Sequence, residues 1–378
     1  MLNRLVAAIY IAALLVPLGA LESQAQQNGK LVPAIVKCSG VPIRAGLPDS
    51  LAVYQQNIFL GVRGGVLTAF ENSKLETLWR TDLGGEFASG LDASSGNIVL
   101  VTNPSMNGSI TDRHSTIRLL SATSGITIWS TQVPYSDNYW VAVRNDKVFA
   151  LGSGGDLSVL DRVSGEVIRQ IDSLGKIRIA PSFSSTAVVF STVDRELVIL
   201  SLSDLEVVQR ASFDFGLTYI NFTQDDGIVA GDERGHLFRF GENITTSRPS
   251  WRFKSGGAVS FASYSTSGIF MTSFDNFVYL LSDYNGDVIW KRRLTGRMND
   301  GGIFVNGAVV VVVPGDNVAF IFDQKTGRLK DSIANSDREI IVSAPFGPND
   351  RRFVMAFADS LEIFGISGCE YANGKATP

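Results

Sequence analysis

Apolar residues in this chain come in short runs broken by Gly, Asn, Asp and Ser, and helix-length periodic segments with caps are absent. The stretch from Gly268 to Leu294 shows the unit most clearly. An apolar run breaks at Ser273 to Asn276, resumes over Phe277 to Leu281, breaks again at Asn285-Gly286 and ends on Val288, Ile289 and Trp290. Phe, Val, Tyr and Ile favour a pleated surface, and Asn-Gly accepts the backbone angles of a tight turn. The segment therefore predicts three antiparallel strands.

The unit repeats. Aligned on the turn before the last strand, the comparable positions are Trp79, Trp129, Arg169, Gln209, Trp251, Trp290 and Asp331, with steps of 50, 40, 40, 42, 39 and 41 residues. A period near 40 with several short strands in each period is the signature of a propeller blade. The long step contains a polar insertion, Asn103 to His114, between the runs Ile98 to Val101 and Ile117 to Leu120. A typical blade is expected at Trp140 to Val143, Lys147 to Leu151, Leu157 to Asp161 and Glu166 to Ile171. Alternation within the strands is loose, which suits sheets packed on both faces.

The ends complete the count. Glu339 to Ser343, Phe353 to Ala356 and Leu361 to Phe364 supply three strands of an eighth blade, and Val41 to Arg44 is expected to supply the fourth. Such an exchange closes the ring and removes exposed edges. The predicted fold is therefore all-β: an eight-bladed β-propeller of four-stranded antiparallel blades, spanning 38–369 and closed by an N-terminal strand. Residues 26–37 form an extension and 370–378 a tail.

Arg4, the apolar run Leu5 to Ala20 and the small residues Ser23 and Ala25 make 1–25 a signal peptide with cleavage expected after Ala25; an uncleaved anchor is the alternative. No Cys follows the run to accept a lipid, and no later stretch is long and apolar enough to span a bilayer. The mature chain is expected to be soluble in an exported compartment. Cys38 and Cys369 flank the two strands that close the ring, so a disulfide between them is expected to staple the last blade, at a loop entropy worth on the order of 5 kcal/mol. Two separate buried thiols are the alternative.

Composition narrows the function classes. With 45% hydrophobic and 19% charged residues the chain suits a globular protein, and a formal net charge of -4 offers no global field for nucleic acid. The basic run Lys291 to Arg293 lacks an aromatic platform beside it. His114 and His236 are the only histidines, which rules out a multi-histidine metal centre, and there is no GxSxG elbow or phosphate-binding loop. No cofactor is assigned.

The blocks SGITIW from Ser124, NGDVIW from Asn285 and KTGRL from Lys325 resemble the pyrroloquinoline-quinone-like repeat, whose blade ends in a strand, a turn with Gly, and Trp. The resemblance spans roughly Cys38 to Cys369. It implies that Trp79, Trp129, Trp251 and Trp290 dock neighbouring blades, a pattern from which Arg169, Gln209 and Asp331 depart. The family contains quinoprotein dehydrogenases and non-enzymatic scaffolds of outer-membrane protein assembly. The adjacent Cys pair of the dehydrogenases has no counterpart here, so the resemblance implies a periplasmic scaffold that binds a protein or extended peptide. A quinone-dependent oxidoreductase and a carbohydrate or small-ligand module are the alternatives. The loops entering the innermost strands carry charges of both signs, among them Asp49, Glu86, Asp137, Lys176, Asp214, Asp300 and Asp337. Tyr135, Tyr139, Trp140, Arg178, Arg297 and Arg338 are the candidate partner-binding residues, because aromatic and arginine side chains concentrate in interface hot spots.

Overall fold

The computed structural model describes residues 35–105, 114–241, 248–298, 302–305, 307–313, 317–334, 340–345 and 351–369, with 334 and 341–345 described by their backbone. The expected signal segment, most of the extension, the centre of the blade-two insertion and the tail lie outside the described residues.

Strands form eight antiparallel sheets, and no helix occurs among the described residues. Seven sheets are consecutive in sequence. Blade 3, for example, pairs Tyr139–Arg144, Lys147–Gly152, Leu157–Asp161 and Val167–Ile171 in order. The first strand of blade 2 is split into Glu86–Phe87 and Asp92–Ser94, both paired with Asn97–Asn103. The eighth sheet joins Ile340–Pro345, Arg352–Phe357 and Ser360–Ile366 to the N-terminal strand Ile35–Pro42. First strands of neighbouring blades contact one another at six of the junctions, including that of blade 8 with Pro48–Tyr54 of blade 1, which closes the ring.

The closing strand starts earlier than expected. It covers Ile35 to Pro42 rather than Val41 to Arg44, so the last residues of the expected extension belong to the propeller, and Cys38 lies within the strand rather than before it. Register explains the position. The ladder steps from Lys37↔Phe364 to Ser39↔Ile363, leaving Cys38 as the extra residue of a bulge. The same bulge recurs before Trp79, Trp129, Arg169, Gln209, Trp290 and Asp331. Ser39 is thus the eighth blade's counterpart of the Trp position. Cys38 and Cys369 are disulfide-bonded, with Cα atoms 5.5 Å apart across a sequence separation of 331.

Eight buried clusters lie between neighbouring blades, which is why the strands read apolar on both sides. At four junctions an indole seals the outer edge. Nε1 of Trp79, Trp129, Trp251 and Trp290 donates to the carbonyl oxygens of Ala122, Arg162, Asp283 and Gln324 in the next blade, at 2.7–3.0 Å. Each ring lies over a glycine with positive φ, respectively Gly125, Gly165, Gly286 and Gly327. A Cβ on any of them would come within 2.4–2.6 Å of the indole, so these glycines serve both the turn and the packing of the preceding blade. The pattern breaks consistently. Where Arg169 replaces Trp, the facing turn has Leu205 at φ 64; where Ser39 replaces it, the facing turn has Leu75 at φ 60. At that last junction the buried Arg352 guanidinium donates to Asn72 O, the carbonyl equivalent to those the indoles satisfy.

Candidate functional site

Antiparallel four-stranded blades place two kinds of connection on one side of the ring: the loops from an outermost strand to the next innermost strand, and the turns between second and third strands. This loop face collects the charged positions singled out from the sequence. Arg338, Asp300 and Asp337 lie outside the described residues.

Among the described candidates the structure separates exposed groups from braces and core residues. Tyr135 is exposed, and its hydroxyl donates to Asp137 Oδ1 at 3.2 Å. Tyr139 is a core residue, 2% exposed, and donates to Pro134 O at 2.5 Å. Burial, reinforced by the Asp156 carboxylate, pushes its phenol up to about 12. It has no surface to offer a partner, because it begins the innermost strand of blade 3 with its ring turned into the cluster between blades 2 and 3. Trp140, on the opposite side of that strand, packs against the cluster between blades 3 and 4.

Arg178 is a brace. Its Nε donates to Leu217 O at 3.1 Å and its Nη2 to Glu233 Oε2 at 2.9 Å, tying the loop after blade 3 to blade 5. Gly216 approaches so closely that a Cβ there would sit 2.4 Å from the Arg178 Cζ. Arg297, by contrast, stands over the exposed ring of Phe274, 5.9 Å from its centroid, and Arg234 stands 5.1 Å over Phe215. These Arg–aromatic pairs were missed in the sequence because each joins a turn to a separate loop. Their partners become neighbours only when the ladder aligns them.

Two carboxylates, Asp49 and Asp156, are held above their usual range. Partial burial raises Asp49, with Glu86 adding to it and Arg63 opposing; burial and the Asp172 charge raise Asp156. Glu86 accepts a hydrogen bond from the Gly64 N–H at 3.0 Å. The loop face therefore mixes exposed apolar groups, Leu47, Tyr135, Val193 and Phe274, with charges of both signs. Such a surface can seat a polypeptide by apolar anchors and orient it by complementary potential. Among the described residues no cluster of three or more His, Cys, Asp or Glu side chains could hold a metal ion.

The fold and its repeating Trp–Gly seals define an eight-bladed propeller of the quinone-like repeat class. The chain belongs to the PQQ_2 family, described as outer membrane protein assembly factor BamB, whose profile matches residues 23–193, 113–214 and 222–359. The structure is similar to that of BamB from Moraxella catarrhalis, with a TM-score of 0.63 at 16% identity over 91% of this chain and 99% of that one. It also resembles the computationally designed Ika8 protein, with a TM-score of 0.72 at 14% identity over 87% of this chain and 99% of that one. The C-terminal WD40 domain of Sif2 gives a TM-score of 0.70 at 13% identity over 89% of this chain and 99% of that one. At such identities these likenesses speak for the fold alone. Among curated protein sequences none matches the chain.

Proposed function

We propose that the protein is an exported, non-enzymatic scaffold of the bacterial envelope that holds a protein or extended peptide partner on its loop face, in the assembly of outer-membrane proteins. The carrying observation is the loop face itself. Exposed Tyr135 and the Arg297–Phe274 pair stand among charges of both signs on a ring whose closing blade is stapled by Cys38–Cys369. A preformed surface spends little ordering entropy on binding, and aromatic and Arg anchors are the side chains that dominate such interfaces. Family membership supports the assembly role.

The test is mild crosslinking in the native envelope, identification of the co-purified protein, and reconstitution with that protein purified. Tyr135→Ala combined with Arg297→Ala is expected to weaken the reconstituted complex at least tenfold while leaving the thermal midpoint of the propeller unchanged. A complex indifferent to both substitutions, or a quinone-type chromophore bound in one-to-one ratio without a protein partner, refutes the proposal.

A further inference from the structure

The junction between blades 4 and 5 lacks the indole seal. Its outer strand, Val207–Ser212, carries Gln209 at the Trp position and Ala211 two residues on, where the sealed junctions have Thr81, Thr131, Phe253 and Arg292. Between this strand and His236–Phe240 of blade 5 lies a cavity of about 170 Å³, lined by Ala211, Phe213, Phe215, His236, Phe238 and Phe240 among others. Phe213 meets Phe238 and Phe240 edge-on, at centroid distances of 5.5 and 6.2 Å, and Phe215 stacks on His236 at 6.4 Å. Phe213, Phe215, His236 and Phe238 are only half-buried, so their rings are open to the cavity.

Ser212, Asp214 and Arg252 also line the cavity, and one polar pair is fixed in its wall. Asp232, 2% exposed, accepts the backbone N–H groups of Arg234 and His236 on Oδ1 and faces the imidazole Nδ1 with Oδ2 at 2.8 Å. A carboxylate oxygen only accepts, so Nδ1 carries the proton of this contact and Nε2 is the ring nitrogen left for a further partner; among the described residues none is seen on it. A cavity of about 150 Å³ holds a single benzene ring.

From this we infer that the cleft between blades 4 and 5 is a binding pocket for one tyrosine side chain of an extended partner polypeptide, its ring among the four phenylalanines and its hydroxyl donating to His236 Nε2. A Phe ring would leave that nitrogen unused. The polypeptide source follows from position: the pocket lies along the outermost strand of blade 4, which among the described strands pairs on one side only, and its Phe215 end belongs to the loop face. The inference rests on the scaffold function proposed above and supplies it with a specificity pocket.

The probes are p-cresol, 4-methylanisole and toluene, titrated into the purified protein by ligand-observed NMR, followed by the peptides acetyl-Val-Tyr-Val-amide and acetyl-Val-Phe-Val-amide. One neutral hydrogen bond corresponds to about tenfold, so p-cresol is expected to bind about tenfold tighter than the other two. His236→Phe should abolish that preference, and Ala211→Phe should abolish binding of all three. The Tyr peptide should bind more tightly than p-cresol and about tenfold more tightly than the Phe peptide. Equal binding of p-cresol and toluene, or a preference that survives His236→Phe, overturns the assignment. So does a Tyr peptide no tighter than free p-cresol, which would make the occupant a small phenol. Retention of the crosslinked partner by an Ala211→Phe protein that no longer binds p-cresol would refute the pocket and leave the scaffold standing. Loss of p-cresol preference in His236→Phe with no envelope partner found would refute the scaffold and leave a phenol site.

Discussion

Replacing Gly327 by Ala should cost far more in the native protein than in a Trp290→Ala background, because one glycine answers two constraints. Gly327 has φ 63, a left-handed conformation that costs an L-residue about 1–2 kcal/mol. Its added Cβ would also lie 2.5 Å from Cδ2 of Trp290, and overpacking of this kind costs about 1–3 kcal/mol. The single substitution is therefore expected to lose about 2–5 kcal/mol. Trp290 is 6% exposed, touches Phe270 and Phe322, and donates to Gln324 O, so Trp290→Ala should itself lose about 3–5 kcal/mol. With the indole gone the clash disappears and only the backbone strain remains. The double variant should then be about 1–3 kcal/mol more stable than the sum of the two losses predicts. Urea unfolding followed by far-UV circular dichroism, with the disulfide intact, measures all four corners of the cycle. Additivity within about 0.5 kcal/mol would refute the coupling between indole and turn.

Opening the disulfide with Cys38→Ser and Cys369→Ser should lower stability by about 5–6 kcal/mol on the loop-entropy model, read as a lower urea midpoint; an unchanged midpoint would show that the staple constrains nothing the unfolded chain explores. Arg239, 5% exposed, is held by Asp225 and Asp283, whose side chains reach solvent. Removing both carboxylates strands a buried cation and should cost about 3–5 kcal/mol, whereas Arg239→Met strands nothing and should cost less than about 2 kcal/mol; calorimetry of both variants tests that order. The phenols of Tyr139, Tyr219 and Tyr279 are raised chiefly by burial, Tyr139 to about 12. An acid raised in the folded state binds its proton more tightly there, so its stabilisation is complete below the unfolded value near 10 and lost as pH rises through 12. Tyr139→Phe should flatten the fall in urea midpoint between pH 10 and 12, and an unaltered slope would refute the assignment to this residue.

The architecture was legible because a 40-residue period survives substitution of its marker. Trp79, Arg169, Gln209 and Asp331 occupy one structural register although they share no chemistry, since the turn and bulge before them are set by backbone pairing. The site was less legible. Burial on both sheet faces erases alternation, so the sequence does not say that Tyr139 points into one junction and Trp140 into the next. Asn285-Gly286 signals a turn, but the indole of Trp251 that also requires a glycine there lies 35 residues upstream. His236 looks like a turn residue in Asp-Glu-Arg-Gly-His-Leu. Only the antiparallel pairing of blade 5 and the packing of blade 4 bring Asp232 beneath it and four phenylalanines around it.

The closing blade also sets a timetable. Its fourth strand is among the first residues of the propeller to be made, and the strand it pairs with, Ser360–Ile366, is among the last. During synthesis, blade 1 accordingly waits beside an unfilled neighbour until nearly the whole chain has appeared, and Ile35–Pro42 waits with it as an unsatisfied edge. A nascent chain short of Ser360 can stack blades but has no partner for its first strand.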